Sequence, residues 1–201
     1  MHKYLRRKGR RYRKRGSAKD SRGLIAGRVD ISMRPKIVDT RKRVGDLEID
    51  TIIGRNHKGA ILTINERKSG FVWIKKLNGK DAADLAQNAI NTLKPHQHWI
   101  KTITSDNGKK FAEHSIIASD LNLGFYFARP FHSWERGSNE NLNGLIRQYI
   151  PKGSSFENIT DEDVFWIQYK LNHRPRKRFG YLTPYQKLNL ILKNKKVAFV
   201  T

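Results

Sequence analysis

The segment at residues 45–54 begins with strict alternation of polar and apolar residues, which predicts a β-strand with one polar and one apolar face. Two further apolar runs follow, over residues 60–65 and 71–77. The segments between these runs, 56–59 and 67–70, have the composition of short turns. Because short turns join neighbouring strands that run in opposite directions, the sequence predicts three consecutive antiparallel strands.

Beyond these strands, apolar residues recur mainly at the spacing of a helix. The pattern predicts helices at residues 81–93, 111–121, 138–150 and 161–171, and short strands at residues 100–104 and 124–128. Thr160 suits the N-cap of the last of these helices. Trp73, Trp99 and Trp166 lie in apolar patterns and are predicted to be buried. The order of the elements predicts a mixed α/β fold.

The charge of the chain changes this picture from a generic α/β domain to a nucleic-acid-binding one. The 201 residues include 41 Lys and Arg against 18 Asp and Glu, a formal net charge of +23, and 37% are hydrophobic, enough for a core. So basic a domain repels itself unless a polyanion screens it. With no Cys, disulfide scaffolds and zinc-thiolate modules are excluded. No apolar run approaches the roughly 20 residues of a membrane span, so we expect an intracellular protein with no membrane partner.

The positive charge is concentrated at the N-terminus, where residues 1–20 hold ten Lys and Arg and one acid. We predict a basic arm and linker over residues 1–35 and a catalytic core over residues 36–201. A solubilising tail is the alternative, but contact with DNA phosphates explains the sign of the charge better. The predicted DNA contacts in the arm are Arg6, Arg7, Lys8, Arg10, Arg11, Arg13, Lys14 and Arg15.

Three acidic residues stand out as candidate catalytic groups. Asp50 lies on the polar face of the first strand, Asp106 follows an apolar strand in a tight Asp-Asn-Gly turn, and Glu140 lies on a predicted helix. Each has an ordinary alternative, because Asp often forms turns and Glu often occupies the first turn of a helix. Asp46 and Glu48 share the face of Asp50 and are alternatives to it. Glu135 is the alternative to Glu140.

The helix that carries Glu140 has an apolar stripe on its opposite side. Glu140 and Arg147 share the polar face and Asn143 flanks them, so this helix is predicted to present them to an open cleft. Carboxylates that converge in a basic cleft would repel DNA phosphates unless divalent cations lay between them. Hard oxygen ligands favour two Mg²⁺ or Mn²⁺ ions, which can promote in-line displacement at phosphorus.

A second basic cluster lies near the C-terminus, for which a solvated loop is the alternative. The predicted phosphate contacts outside the arm are Arg174, Arg176, Lys177 and Arg178, together with Asn143 and Arg147, for which support of Glu140 is the alternative.

Residues 131–153, with the sequence FHSWERGSNENLNGLIRQYIPKG, closely resemble the signature of family thirty of the bacterial insertion-sequence transposases. The segments RRKG at 6–9, GDLEIDTIIG at 45–54, TSDNG at 104–108 and NHRPRKRFGYLTP at 172–184 resemble the same family in the same order. The resemblance therefore covers nearly the whole chain. Leu47 and Ile49 depart from it, since the family often has Trp and Gly there.

This resemblance implies an RNase H-like catalytic core whose DDE triad is Asp50, Asp106 and Glu140, the last two separated by 33 residues as in the family. It also implies Mg²⁺-dependent cleavage of double-stranded DNA at transposon ends and transfer of the 3′-hydroxyl into target DNA. Joining two ends implies a homo-oligomer, and likeness to a bacterial transposase implies a cytoplasmic, nucleoid-associated protein. Family members carry an N-terminal helix-turn-helix region, whereas the basic arm here begins almost at Met1, so the sequence predicts a chain without that region.

Three functional hypotheses result. A DDE transposase catalytic domain is favoured by the three acids and the signature. A truncated, non-catalytic DNA-binding remnant of a transposase is favoured by the predicted loss of the recognition region. A stand-alone RNase H-like nuclease would need neither the basic arm nor the WERG segment.

Overall fold

The computed structural model of the protein describes residues 25–79, 81–129 and 137–197. These residues form five strands and five α-helices. The strands are β1 (Asp46–Ile53), β2 (Ala60–Glu66), β3 (Val72–Leu77), β4 (Thr102–Ser105) and β5 (Gly124–Phe127). The helices are α1 (Ala82–Leu93), α2 (His114–Leu121), α3 (Gly137–Ile146), α4 (Asp161–His173) and α5 (Pro184–Val197).

The five strands form one mixed sheet in the order β3-β2-β1-β4-β5. Strands β1, β2 and β3 are antiparallel neighbours, whereas β4 pairs parallel with both β1 and β5. The predicted α/β class, with a mixed five-stranded sheet whose first three strands are antiparallel, is confirmed. Strand β1 lies at the centre of this sheet.

Helices cover both faces of the sheet. Because side chains alternate along a strand, Leu47 and Ile49 of β1 pack in one core cluster with α1 and α2. Ile52 points to the other face and packs in a second cluster with Leu142 of α3 and Ile167 of α4. The acidic side chains at the even positions of β1 therefore lie on the side of the sheet that α3 and α4 cover.

Two helix boundaries differ from the predicted ones by three residues or more. A 3₁₀ turn over Lys109–Phe111 precedes α2, which begins only at His114. Helix α3 ends at Ile146 rather than at residue 150. After Ile146 the chain continues in turns, in which the N–H groups of Tyr149 and Ile150 both donate to the Ile146 carbonyl at 2.9 Å, and Pro151 disfavours a helical conformation in Ile150.

Helix α5 has no counterpart among the predicted elements. It begins at Pro184, and Thr183 caps it: the backbone N–H of Gln186 donates to Thr183 Oγ1 at 3.1 Å. The backbone N–H of Thr183 donates in return to Gln186 Oε1 at 2.9 Å. This reciprocal capping box, with Pro at the first helical position, is a sequence signal that could have predicted the helix.

The three tryptophans predicted to be buried differ in their environments. Trp73 and Trp99 are buried and stack at 6.1 Å between ring centroids. The prediction for Trp166 is wrong, because its side chain is 49% exposed. Trp166 lies on α4 opposite the face that Val164 and Ile167 bury in the second cluster.

Part of the segment assigned to the N-terminal arm packs against the sheet. Ile25 is buried, the N–H of Phe127 donates to the carbonyl of Val29 at 2.9 Å, and the buried Arg34 donates to Thr104 Oγ1 at 2.8 Å. The basic residues 6–15 lie outside the described residues. None of the helices in the described ranges has the length and apolarity that crossing a bilayer requires.

Candidate active site

The first candidate acid, Asp50, lies on the central strand. It is opposite Thr63 of β2 and is 9% exposed. Its Oδ1 atom accepts a hydrogen bond from the N–H of Thr51 at 2.7 Å. The pairing of β1 with β2 continues through Asp50, and its pairing with β4 ends two residues earlier at Glu48, so the carboxylate lies where the parallel ladder stops.

The second acid, Asp106, follows the C-terminal end of β4. Its Oδ1 atom accepts from the N–H of Gly108 at 2.9 Å, which closes the predicted tight turn. A Cβ on Gly108 would lie 2.8 Å from that same oxygen, so a larger residue there would displace the carboxylate. Since Glu48 pairs with Thr104 in the parallel register of β1 and β4, Asp50 and Asp106 are each two residues further along and lie at the same end of the sheet.

A lysine that sequence reasoning did not select joins these two carboxylates. Lys110 Nζ lies 2.7 Å from Asp50 Oδ1 and 3.3 Å from Asp106 Oδ2, and it donates to Thr51 Oγ1 at 2.9 Å. The lysine side chain is 22% exposed. It belongs to the 3₁₀ turn after Asp106, and this turn carries it back over the strand ends. The only sequence signal is its position four residues after Asp106.

The third acid, Glu140, lies in the first turn of α3 and is exposed. Leu142 and Ile146 are buried on the other side of the helix, as predicted. One turn after Glu140, Asn143 Nδ2 donates to Asp50 Oδ2 at 3.3 Å, so this helix lies beside the first acid. Within the described ranges, however, no three acidic or histidine side chains are close enough to hold a metal ion together. The structure brings Asp50 and Asp106 together and leaves Glu140 on the adjoining helix.

The alternatives to Asp50 have structural partners. Asp46 is 1% exposed, pairs with Arg43 at 2.6 Å and accepts from Thr102 Oγ1 at 2.8 Å. Glu48 is fully buried: its Oε1 lies 3.0 Å from Arg67 Nε, and its Oε2 accepts from the N–H of Asn139 at 3.1 Å. Glu48 therefore attaches the start of α3 to β1. Glu135, the alternative to Glu140, lies outside the described residues.

The donor set around Asp50 fits a hard divalent cation. Asp50 and Asp106 already share one cation, the Lys110 ammonium. The Oδ1 atom of Asn143 is buried and has no hydrogen-bond partner among the described residues, so it offers a further oxygen beside Asp50. Carboxylate and amide oxygens are ligands that Mg²⁺ and Mn²⁺ prefer. Asp50 and Asp106 would hold such an ion, and Glu140 is the acid available from α3.

Two predicted DNA contacts lie on α3 or just after it. Asn143 contacts Asp50 through its amide nitrogen. Arg147 donates to the backbone carbonyls of Ile53 at 3.0 Å and Pro151 at 3.3 Å, and burial lowers the pKa of its guanidinium. These contacts attach the end of α3 to the end of β1, so Arg147 has a structural role in addition to any contact with phosphate.

The predicted DNA contacts of the C-terminal basic cluster lie around a cavity of about 310 Å³ beside α3. Its basic lining residues are Arg174, Arg176, Lys177 and Arg178. Burial, and then the charges of Arg174 and Arg178, lower the pKa of Arg176. Burial also lowers the pKa of Arg178. Like charges crowded at a cavity are a setting that an anion would stabilise.

The sequence is similar to transposases over its full length, although no family model matches it. It is 59% identical over 201 residues to the transposase for insertion sequence element IS4351 of Bacteroides fragilis, a match that covers 100% of this chain and 62% of that one. It is 33% identical over 177 residues to the transposase for element IS30A of Escherichia coli, covering 87% of this chain and 46% of that one. The resemblance predicted from the sequence is confirmed, and the chain spans only about half to two thirds of these relatives.

The fold is similar to that of a solved integrase assembly, the simian T-cell lymphotropic virus intasome in complex with PP2A regulatory subunit B56 gamma. The TM-score is 0.58 at 15% sequence identity, and the match covers 72% of this chain and 54% of that chain. The predicted RNase H-like class is confirmed.

Proposed function

From its relationship to the IS30-type transposases of insertion sequences, we propose that this chain is the catalytic core that cleaves and transfers DNA strands during transposition. Asp50, Asp106 and Glu140 act as its acidic triad and hold two Mg²⁺ or Mn²⁺ ions. The observation that supports the proposal most directly is the sharing of the Lys110 ammonium between Asp50 and Asp106. It marks the point at which a cation is stable in an otherwise very basic domain.

The proposed reaction is phosphoryl transfer in two steps. In cleavage, a water oxygen forms a bond to phosphorus and the bond from phosphorus to the 3′-oxygen breaks, which leaves a 3′-hydroxyl. In transfer, that 3′-oxygen attacks a phosphodiester of the target DNA and displaces another 3′-oxygen. The two bound ions would activate the attacking hydroxyl and stabilise charge on the leaving oxygen.

The chain's own residues position this chemistry. Asp50 is held by the central strand and by Asn143, whose Nδ2 donates to its Oδ2. Asp106 is held by its turn with Gly108. Glu140 is supplied by α3, which Glu48 attaches to β1 through the N–H of Asn139. The basic cavity beside α3 supplies phosphate contacts that hold double-stranded DNA, both transposon end and target. A reaction on two ends would take place in a homo-oligomer on the bacterial chromosome.

The second candidate is a non-catalytic DNA-binding remnant of a transposase. The separation of Glu140 from the two joined acids favours it, since the described residues include no three-carboxylate metal group. In that case the basic surface would still bind DNA, while Asp50 and Asp106 would be inherited without being used.

Cleavage of labelled duplex DNA in Mg²⁺ or Mn²⁺ tests the proposal. Parent protein is compared with Asp106→Asn and with the matched control Asp120→Asn. Asp120 lies on α2, and its exposed carboxylate pairs with Lys94 at the end of α1. Nicking or strand transfer by the parent and the control, but not by Asp106→Asn, is the expected result. DNA binding without cleavage by any of the three proteins would favour the remnant.

A further inference from the structure

The outward face of helix α4 is lined with aromatic side chains, which we call the α4 aromatic face: Phe165, Trp166, Tyr169 and His173. All four residues are exposed. Consecutive rings contact one another, with centroid distances of 5.8 Å, 5.6 Å and 4.0 Å along this series. Tyr185 of α5 extends the series beyond His173 at 5.1 Å. A contiguous exposed apolar surface of this kind marks an interaction site.

The fold itself does not need this face. The opposite side of α4 packs Val164, Ile167 and Leu171 into the second core cluster. Asn172 and Gln168 bind the backbone of edge strand β3: Asn172 Oδ1 accepts from the N–H of Val72 at 2.9 Å, and Gln168 Oε1 accepts from Ile74 at 2.7 Å. Helix α4 thus covers this sheet edge and blocks pairing of β3 with another strand, while its aromatic face remains exposed.

The spacing of the exposed residues fits a helical partner. Glu162, Trp166, Tyr169 and His173 follow one another at intervals of four, three and four residues, which places them in one line along the helix. In packed helix pairs, the residues that contact the partner helix follow one another at the same alternating intervals of three and four.

The charges along α4 show which helix can fill that seam. Its first turn is acidic, with Asp161, Glu162 and Asp163, and its last turn is basic, with Lys170 and His173. An antiparallel copy of the same helix, related by a two-fold axis between residues 167 and 168, places Glu162 opposite His173 of the second copy. The same axis places Trp166 opposite Tyr169 of the second copy. A two-fold interface must be self-complementary in this way.

We propose that α4 is a homodimer interface, in which the α4 aromatic faces of two copies pack antiparallel about this axis. DNA is a poorer occupant, because the acidic first turn of α4 would lie against phosphates. The proposal does not rest on catalysis, and it predicts an unusual salt dependence. Two chains of net charge +23 repel at long range, and added salt screens this repulsion. The dimer should therefore strengthen between low and moderate salt, whereas DNA binding weakens.

Cross-linking tests the register, since the chain contains no cysteine and introduced thiols can react only with each other. Glu162→Cys combined with His173→Cys should give a disulfide-linked dimer on oxidation. The two thiols of one chain lie about 16 Å apart along the helix and cannot bond internally. Each single variant is a control that antiparallel pairing cannot cross-link. Equal dimer yields from the pair and from either single variant would overturn the proposal.

Sedimentation of the full chain measures the same interface without cysteines. We expect Trp166→Glu to weaken dimerisation about thirtyfold or more, as loss of a central aromatic residue does at interfaces. The matched control is Ile116→Glu on α2, which removes a residue of similar exposure, 50%, away from α4. A parent protein that stays monomeric at high concentration in moderate salt would overturn the proposal. If DNA then protected tryptophan fluorescence from a soluble quencher in the parent but not in Trp166→Glu, the aromatic face would be a DNA-binding surface.

Discussion

The ammonium of Lys110 lies 2.7 Å from the carboxylate of Asp50, across 60 residues of sequence, and so joins the turn after β4 to the central strand. This cation occupies the position at which the proposed function requires a metal. A divalent ion that binds between Asp50 and Asp106 must displace the lysine from both carboxylates. Under the proposed function Lys110 would therefore compete with the metal, and in the structure it keeps the two acids from repelling each other.

Replacement of Lys110 by Met should strengthen binding of Mg²⁺ and Mn²⁺. The ion would no longer have to break two lysine contacts, and we expect a Kd lower by roughly tenfold, which corresponds to about 1.4 kcal/mol. Isothermal titration calorimetry of the metal-free protein measures this change. Lys109→Met, at the exposed neighbouring position, is the control and should leave the Kd unchanged. Weaker binding by Lys110→Met would mean that the lysine supports the site rather than competing for it.

The buried pair of Glu48 and Arg67 predicts a strong asymmetry between single and double substitutions. Arg67→Met removes the guanidinium beside a fully buried carboxylate and should lower the free energy of unfolding by about 3–5 kcal/mol. Glu48→Gln combined with Arg67→Met removes both charges and should recover part of that loss. Urea denaturation measures each variant. Equal losses for the single and double variants would show that the charges do not matter to each other.

The basic cavity predicts how the affinity for DNA depends on salt. Arg174→Gln combined with Lys177→Gln should make a plot of log affinity against log salt shallower, by about 0.9 for each phosphate that the protein no longer neutralises. Fluorescence anisotropy with a labelled duplex at several salt concentrations measures the slope. Lys101→Gln is the control, because Lys101 is exposed at the N-terminal end of β4, opposite the acids. A slope that changes equally in both proteins would remove the cavity from the DNA-binding surface.

His96 predicts a loss of stability in mild acid. Burial, and then the charge of His98, lower its pKa below the usual 6.5, and its ring lies beside those of Trp73 and Trp99. Above pH 6.5 the residue is neutral in both folded and unfolded chains. As the pH falls below 6.5 the unfolded chain takes up the proton first, so stability declines until the pH reaches the lowered pKa of the folded state.

Thermal unfolding followed across this pH range measures the effect. His96→Gln should flatten the pH dependence below 6.5, while His98→Gln, at an exposed position, should retain most of it. A parent protein whose unfolding temperature does not change over this range would contradict the assignment.

The sequence is sufficient to predict those residues of the site whose positions depend on local patterns. Asp50 follows from strict alternation, and Asp106 from a turn next to an apolar strand. Periodicity cannot separate Asp50 from Glu48, because both point to the same face. The difference between them is Arg67, which directly follows the C-terminal end of β2 and whose buried guanidinium neutralises Glu48. Lys110 escapes sequence reasoning for a similar reason, since its role depends on a contact between residues distant in sequence.

The wrong prediction for Trp166 and the missing helix α5 have different physical origins. The apolar pattern predicts a buried Trp166 because α4 has aromatic residues on one side and aliphatic residues on the other, and such a pattern cannot show which side meets the core. Helix α5 is absent from the predicted elements although its capping box is visible in the sequence as Thr183-Pro-Tyr-Gln. In the first case the missing information is tertiary, and in the second it is local and present in the chain.

The central position of β1 divides the site into parts of unequal mechanical stiffness. Asp50 is carried by the central strand, which pairs with β2 through Asp50 and with β4 as far as Glu48, and the amides of this strand should be among the last to exchange with solvent. Glu140 is borne by a helix of ten residues whose polar links to β1 include those of Asn139, Asn143 and Arg147. A partial opening would therefore lift Glu140 away while the other two acids stay in place. Turnover would then be controlled by the docking of one short helix, and substitution of Asn143 or Arg147, whose side chains make two of these links, would change the rate without replacing an acid.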